Sequence, residues 1–398
     1  MNPQIKPYII VPNLIEQPTW GGDYISTLKQ ISDPTISSMI FGQSYELYEH
    51  SNLSSKFSTQ HLPSLEMADP VDPTNTQQNI DNDQLININH LIKIDPIQVL
   101  GPKPTQKFGN KITTLIKLTQ AKGNSFQVHR TLEKKSDDWV PKPESWYYFE
   151  PGLATLGLKV GTDWHQYQKT CQLIDNKAQE VSQLIQKNQL SLKTGREQLE
   201  SLIHRLNPFQ YVNLVQIGKN QGVDLSQGGL HHSWEENSQT HPQGNILFEI
   251  QQNVYDPDCT IRGFDKGKIK NDGSIRSVHI KDYFKYLNRT PEYNQPEQHF
   301  TKGKIIKHTS TLTCKSIFVT DYYTLQELIF SQPISNNLTQ TTNSFHHLFV
   351  RKGNIKLLSN DHTWIITQGY SIFVPASIGQ YSLKPYKSRH VSVIKTFI

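Results

Sequence analysis

Ser125-Phe126-Gln127-Val128-His129 and, shortly after it, Lys142-Pro143-Glu144-Ser145-Trp146-Tyr147 both read as extended chain. Gln127 and His129 stand two apart in an apolar, β-leaning context, so on a strand both side chains point to one face. Glu144 opens a second strong strand, Ser145 to Phe149, which can return a carboxylate to the same place. Far downstream, Gly228-Gly229-Leu230-His231 supplies a fourth group. An amide oxygen, two imidazoles and a carboxylate form a mixed N/O set suited to zinc or another borderline divalent metal. Each piece alone has a plainer reading. Gln-Val-His on a strand is commonly a half-exposed polar face, and Lys-Pro-Glu is commonly a surface turn. Their order and spacing together favour a site.

The chain beyond His231 adds weight. Asn245-Ile246-Leu247-Phe248-Glu249-Ile250-Gln251-Gln252-Asn253 runs into Asp256-Pro257-Asp258-Cys259-Thr260-Ile261-Arg262-Gly263-Phe264-Asp265. With these segments the chain resembles the type I mannose-6-phosphate isomerases, zinc enzymes of the cupin superfamily. The shared marks are a Ser-x-Gln-Val-His strand, a Lys-x-Glu-x-Trp-Tyr segment, a Gly-x-x-His turn, and Glu-Ile-Gln-Gln-Asn leading to x-x-Arg-x-x-Asp. Weaker echoes are Trp20-Gly21-Gly22, Gly42-Gln43-Ser44-Tyr45-Glu46-Leu47, Asp95-Pro96-Ile97-Gln98-Val99-Leu100-Gly101 and Arg276-Ser277-Val278-His279-Ile280.

The resemblance implies a mainly β protein of two cupin-like (jelly-roll) barrels with a small inserted helical segment. It implies Gln127, His129, Glu144 and His231 as ligands of one Zn2+ per chain, with the adjacent His232 as the alternative to His231. Lys142 matches a lysine of the active-site cleft and Arg262 the arginine facing the substrate. Asp258 matches an acidic residue proposed as an acid/base. The implied activity interconverts mannose 6-phosphate and fructose 6-phosphate through an enediol. A base must then reach the carbon beside the carbonyl, and Lys142 or Asp258 could serve. Two other functions fit a barrel of this kind: a metal-dependent cupin oxygenase and a non-catalytic sugar-binding cupin.

Composition fits a soluble enzyme. The 398 residues suffice for two or three compact units. Mean hydropathy is −0.56, and charged residues are only 19%, so the polarity comes from Asn and Gln and points to polar loops rather than disorder. A net charge of +5 without a dense Lys/Arg block argues against nucleic-acid binding. Cys171, Cys259 and Cys314 have no paired spacing. Met1 to Pro7 lacks a charged-then-apolar signal, and no apolar run approaches the roughly eighteen residues a membrane span needs. The expectation is a cytoplasmic monomer acting on a small phosphosugar, with no nucleic-acid or membrane partner.

Strand signals run from Ile112 to Leu118, Ser125 to Val128 and Ser145 to Leu158. Asp69 to Gln84 reads as a polar loop. Ile174, Ala178, Val181 and Ile185 repeat at helical spacing, and Thr194-Gly195-Arg196-Glu197 has capping-box spacing before Leu199. Beyond about residue 300, strands are expected at Ser316 to Thr320, Phe345 to Arg351, Ile355 to Leu358, Trp364 to Thr367, Tyr370 to Val374 and His390 to Lys395, with turns at Gly353 and Gly369. The organisation read from this is a catalytic unit over 1–292, including a helical insertion over 165–206, and a cupin-like unit over 301–398 without a metal. His346 and His347 are read there as structural.

Overall fold

Strand Thr114–Ala121 lies at the centre of the larger catalytic sheet. It pairs on one side with Phe41–Leu47 and on the other with Asn245–Gln252, which in turn pairs with Glu144–Tyr148. Every side chain of Thr114–Ala121 is buried, as a strand with both faces covered requires. The computed structural model describes residues 5–18, 20–55, 65–66, 85–123, 125–131, 138–234, 239–337, 342–359 and 362–398. The expected polar loop from Asp69 to Gln84 lies outside these residues.

The described strands form four sheets, of eight, five, nine and four strands. The eight-stranded sheet faces the five-stranded one, which runs in the order Val212–Ile217, Gly152–Leu158, His231–Trp234, Phe126–Val128, Ile261–Phe264. Trp146, Tyr148 and Leu247 of the first share a core with Ala154, Leu156 and Ile217 of the second. In the C-terminal half, Leu348 and Val393 of the nine-stranded sheet pack on Leu357, Trp364 and Leu383 of the four-stranded one. The fold is therefore mainly β and built of two cupin-like units. Their sheets remain open and stack face to face rather than closing on themselves.

The helical insertion is a pair, Trp164–Gln186 and Leu192–Leu206. Asp163 caps the first by accepting from the N–H groups of His165 and Gln166. The second starts before the expected cap: Ser191 Oγ accepts from Thr194 N–H at 3.1 Å, so Thr194 lies inside the first turn. Tyr167, Cys171, Ile174, Ala178 and Val181 form the buried stripe and pack with Leu199 on the outer face of the five-stranded sheet, beside Phe126 and Phe264. Strands Lys304–His308, Thr324–Phe330, Ile334–Asn337 and Gln380–Pro385 add to those read from the sequence. Among the described residues no helix is long and apolar enough to cross a membrane.

The halves interlock. Strand Tyr8–Val11 sits between Ser371–Val374 and Asn52–Ser54, within the sheet that carries the C-terminal strands. Two buried carboxylates reinforce the join. Glu46 accepts from Lys29 Nζ (2.7 Å), Ser44 Oγ (2.6 Å) and Ser371 Oγ (2.9 Å), while Lys29 Nζ also donates to the Gly369 carbonyl. Glu327 accepts from Tyr147 Oη, Arg351 Nη1 and Ser392 Oγ. Lys29 and Glu46 are fully buried, so removing one partner strands the other's charge. Lys29→Ala should lower the unfolding free energy measured in urea by about 3–5 kcal/mol. The double variant Lys29→Met, Glu46→Leu should recover much of that loss.

Candidate metal centre

Four short stretches converge between the facing sheets. In the five-stranded sheet Gln127 lies opposite His231 on one side and Arg262 on the other. Glu144 begins its strand in the facing sheet, opposite Gln251. The strand Phe126–Val128 stops one residue short of His129, yet the imidazole still reaches the group. One nitrogen from each of His129 and His231 and one oxygen from Glu144 all lie within 4.8 Å of one another. His231 Nε2 is 2.9 Å and His129 Nε2 3.4 Å from Glu144 Oε1. The side-chain amide of Gln127 is 3.0 Å from His231 Nε2.

The rings are set by their far nitrogens. His129 Nδ1–H donates to the Cys259 carbonyl and His231 Nδ1–H to the Gly229 carbonyl, each at 2.8 Å. Those bonds leave both Nε2 lone pairs aimed inward, the arrangement second-sphere carbonyls give to metal-binding histidines. Gly229 can present its carbonyl because it sits at φ +117°, a backbone shape other residues resist. His232 turns the other way and packs edge-on against Phe126 at 5.1 Å, so His231 is the histidine brought to the group.

Three atoms at the centre are buried without an aligned hydrogen-bond partner: His129 Nε2, Glu144 Oε1 and Glu144 Oε2. Lys142 Nζ lies 2.7 Å from Glu144 Oε2 as an ion pair. Burial, reinforced by the Lys142 charge, holds His129 down at about 4, so the ring is neutral near pH 7. Burial pushes the Glu144 carboxyl up, but Lys142 and the two histidines outweigh it and hold the group well below the usual carboxylate range. Burial likewise pulls Lys142 down, and the carboxylates of Glu144 and Glu249 outweigh that and raise it. Neutral imidazoles and an ionised carboxylate are the protonation states metal ligation needs. Converging and short of aligned hydrogen-bond partners, these donors fit a divalent ion. Gln127 completes the set when its amide is turned oxygen-inward, an orientation exchanged by rotation alone.

In front of the group opens a cavity of about 1310 Å³, lined by Gln127, Lys142 and Arg262 together with residues not singled out from the sequence. Lys117 and Glu249 form an ion pair at 2.9 Å in its wall, and Glu249 Oε1 is 3.8 Å from Lys142 Nζ. Their signal was the period-two pattern. Leu115, Lys117 and Thr119 alternate with Ile116 and Leu118, and Leu247, Glu249 and Gln251 alternate with Phe248 and Ile250, so each strand puts its charge on the cavity face.

Asp258 is not brought into the site. Its side chain is exposed and is absent from the cavity lining. The tight backbone turn from Tyr255 to Asp258 presents Asp256 instead, which lines the cavity and pairs with Arg262 Nη2. Partial burial raises the Asp256 carboxyl, and the charges of Arg262 and Lys142 overcome this and hold it at about 2. Asp265, three residues beyond Arg262, pairs with Arg276 rather than with that arginine. In the C-terminal unit, His346 Nδ1 contacts Tyr381 Oη at 2.7 Å and its Nε2 contacts Thr342 Oγ1 at 3.2 Å, and His347 stacks near Phe248.

No family model matches the sequence, and no curated protein matches it either. Solved structures do match, over nearly the whole chain. Mannose 6-phosphate isomerase from Bacillus subtilis is 16% identical with a TM-score of 0.65, covering 99% of this chain and 100% of that one. A zinc-bound mannose 6-phosphate isomerase is 13% identical with a TM-score of 0.63, covering 98% and 99%. A variant of phosphomannose isomerase from Salmonella typhimurium is 12% identical with a TM-score of 0.63, covering 99% of each chain. The chain thus has the cupin-type architecture read from its motifs. More particularly, it has the fold of the mannose 6-phosphate isomerases from end to end.

The centre makes a direct prediction. After dialysis against zinc, His129→Ala and His231→Ala should bind the ion more weakly by at least the roughly 10–100-fold that losing even a supporting partner costs. His232→Ala should keep it. Metal analysis of the purified proteins reads the difference, and retention by His231→Ala with loss by His232→Ala would reverse the assignment.

Proposed function

We propose that the protein is a zinc-dependent aldose–ketose isomerase that interconverts mannose 6-phosphate and fructose 6-phosphate. One observation carries the reading: a buried, partner-poor His129–Glu144–His231 group lies directly behind Gln127 and Lys142, which line a large cavity together with Glu249 and Arg262. Gln127, His129, Glu144 and His231 would hold the ion. A bound zinc supplies Lewis acidity, polarising sugar oxygens and accepting negative charge.

The chain's own groups divide the remaining work. Moving the carbonyl from the first carbon to the second removes a proton beside a carbonyl and returns one to its neighbour. Lys142 is held firmly protonated by two carboxylates, so it serves as a fixed positive charge and hydrogen-bond donor. Asp258 does not border the cavity, which disfavours it as the base. Glu249, set beside Lys117 and Lys142 on the cavity wall, is the base in this reading. Arg262 offers a planar fork to an enediolate oxygen or sugar hydroxyl. Lys266, Lys270 and Arg276 at the cavity wall suit the phosphate. The same proposal keeps the chemistry within 1–292, leaves 301–398 without a metal, and takes the chain as a cytoplasmic monomer.

A coupled assay of purified protein with mannose 6-phosphate tests the activity. Turnover should vanish on strong chelation and return with zinc. Conversion of glucose 6-phosphate in place of the mannose epimer would overturn the substrate. Arg262→Ala should cut turnover by roughly 10²–10³, by analogy with losing one oxyanion donor, with metal content and melting temperature little changed. Activity lost only in step with folding would leave Arg262 a structural residue.

A further inference from the structure

One stretch of the cavity wall is a hairpin, residues 266–277, and it does not stand unaided. Ile269 bridges to Ile275 across it, Lys270 N–H donates to the Ser274 carbonyl at 2.8 Å, and Gly273 N–H to the Lys270 carbonyl at 3.0 Å. Lys266, Lys268, Lys270 and Arg276 line the cavity from this hairpin. Its backing is the helical insertion. Arg196 donates twice to the Ile269 carbonyl, from Nη2 at 2.6 Å and Nε at 3.2 Å, and Nη2 also reaches Asn271 Oδ1 at 3.2 Å. Ser182 Oγ donates to the Gly273 carbonyl at 2.7 Å.

Packing closes the same joint. Gly267 and Gly273 both have positive φ, +66° and +83°. A Cβ on Gly267 would come within 2.6 Å of Ile203 Cδ1, and one on Gly273 within 2.7 Å of Ile185 Cγ2. The hairpin therefore lies flush on both insertion helices. Arg196 borders the cavity, yet it directs its guanidinium at backbone and amide oxygens. A fork with two donors on one carbonyl fixes that carbonyl's place.

We propose that Arg196 is a positioning residue of the site. It clamps the 266–277 hairpin to the insertion and so sets where the hairpin's cations meet the anionic end of the substrate. The identity of that anion as a sugar phosphate rests on the isomerase reading above; the clamp itself does not.

The test compares Arg196→Ala, Arg196→Lys and the exposed-site control Arg205→Ala with the wild type. Three quantities are read: kcat and KM for mannose 6-phosphate, calorimetric affinity for inorganic phosphate, and hydrogen exchange of the Lys270 and Gly273 amides. Arg196→Ala should raise KM about tenfold, the scale of one hydrogen bond to a charged group, with kcat little changed. Phosphate affinity should fall by a similar factor, and the two amides should exchange faster at an unchanged melting temperature. Arg196→Lys, which keeps one donor, should recover part of each effect, and Arg205→Ala should show none. A wild type that does not turn over mannose 6-phosphate removes the isomerase reading, and the clamp is then decided by exchange and phosphate affinity. Unchanged exchange in Arg196→Ala overturns the clamp whatever the wild type does, as does a parallel loss of kcat and melting temperature.

Discussion

An ionised carboxylate left bare in a dry interior is expensive, by several kcal/mol even after relaxation, and this constraint organises the molecule. Three buried glutamates answer it differently. Glu46 and Glu327 are surrounded by donors from both halves of the chain. Glu144 is equally buried, but it faces two imidazole nitrogens whose lone pairs point back at it, with Lys142 to one side. The first two arrangements are complete as they stand. The third leaves converging donor atoms that could hold a divalent cation.

The supporting structure serves that difference. Carbonyls of Cys259 and Gly229 hold the rings, and Cys259 comes from a segment whose neighbours also line the cavity. Cys259 lies between Asp256 and Arg262, so the turn that orients His129 also delivers the arginine and its carboxylate partner to the wall. Gly229 precedes the strand that carries His231. Small backbone shifts in the Cys259 segment would thus be felt at the centre and at the cavity together, which ties the geometry of one to the other.

Much of this was legible in the sequence, and the rest was hidden for physical reasons. Gln127, His129, Glu144 and His231 showed themselves because hydrophilic groups at fixed spacing interrupt apolar strands. Arg262 followed from the motif around it. For Asp258, motif spacing gives the order of residues along a turn but not which carboxylate borders the cavity, and in the structure that is Asp256. Lys117 and Glu249 were overlooked although they too break apolar alternation; they carry meaning only once the two strands are known to be neighbours. The start of the second insertion helix was misplaced by one turn because Ser191 and Thr194 are both competent caps, and tertiary packing selects between them. Short C-terminal strands such as Gln380–Pro385 lack a distinctive pattern and are defined by their partners. No local signal indicates that Tyr8–Val11 belongs to a sheet most of whose strands lie hundreds of residues away.

That remote pairing has a consequence for how the protein is made. A ribosome delivers Tyr8-Ile9-Ile10-Val11 shortly before Asn52–Ser54, which can cover one edge. The other edge waits for Ser371–Val374. At roughly 5–20 residues per second the delay is on the order of 20–70 s. Throughout that interval the nascent chain presents an apolar, half-paired strand to the crowded surroundings. Folding is therefore vectorial only in part: a strand made early is sealed only when one made far later arrives.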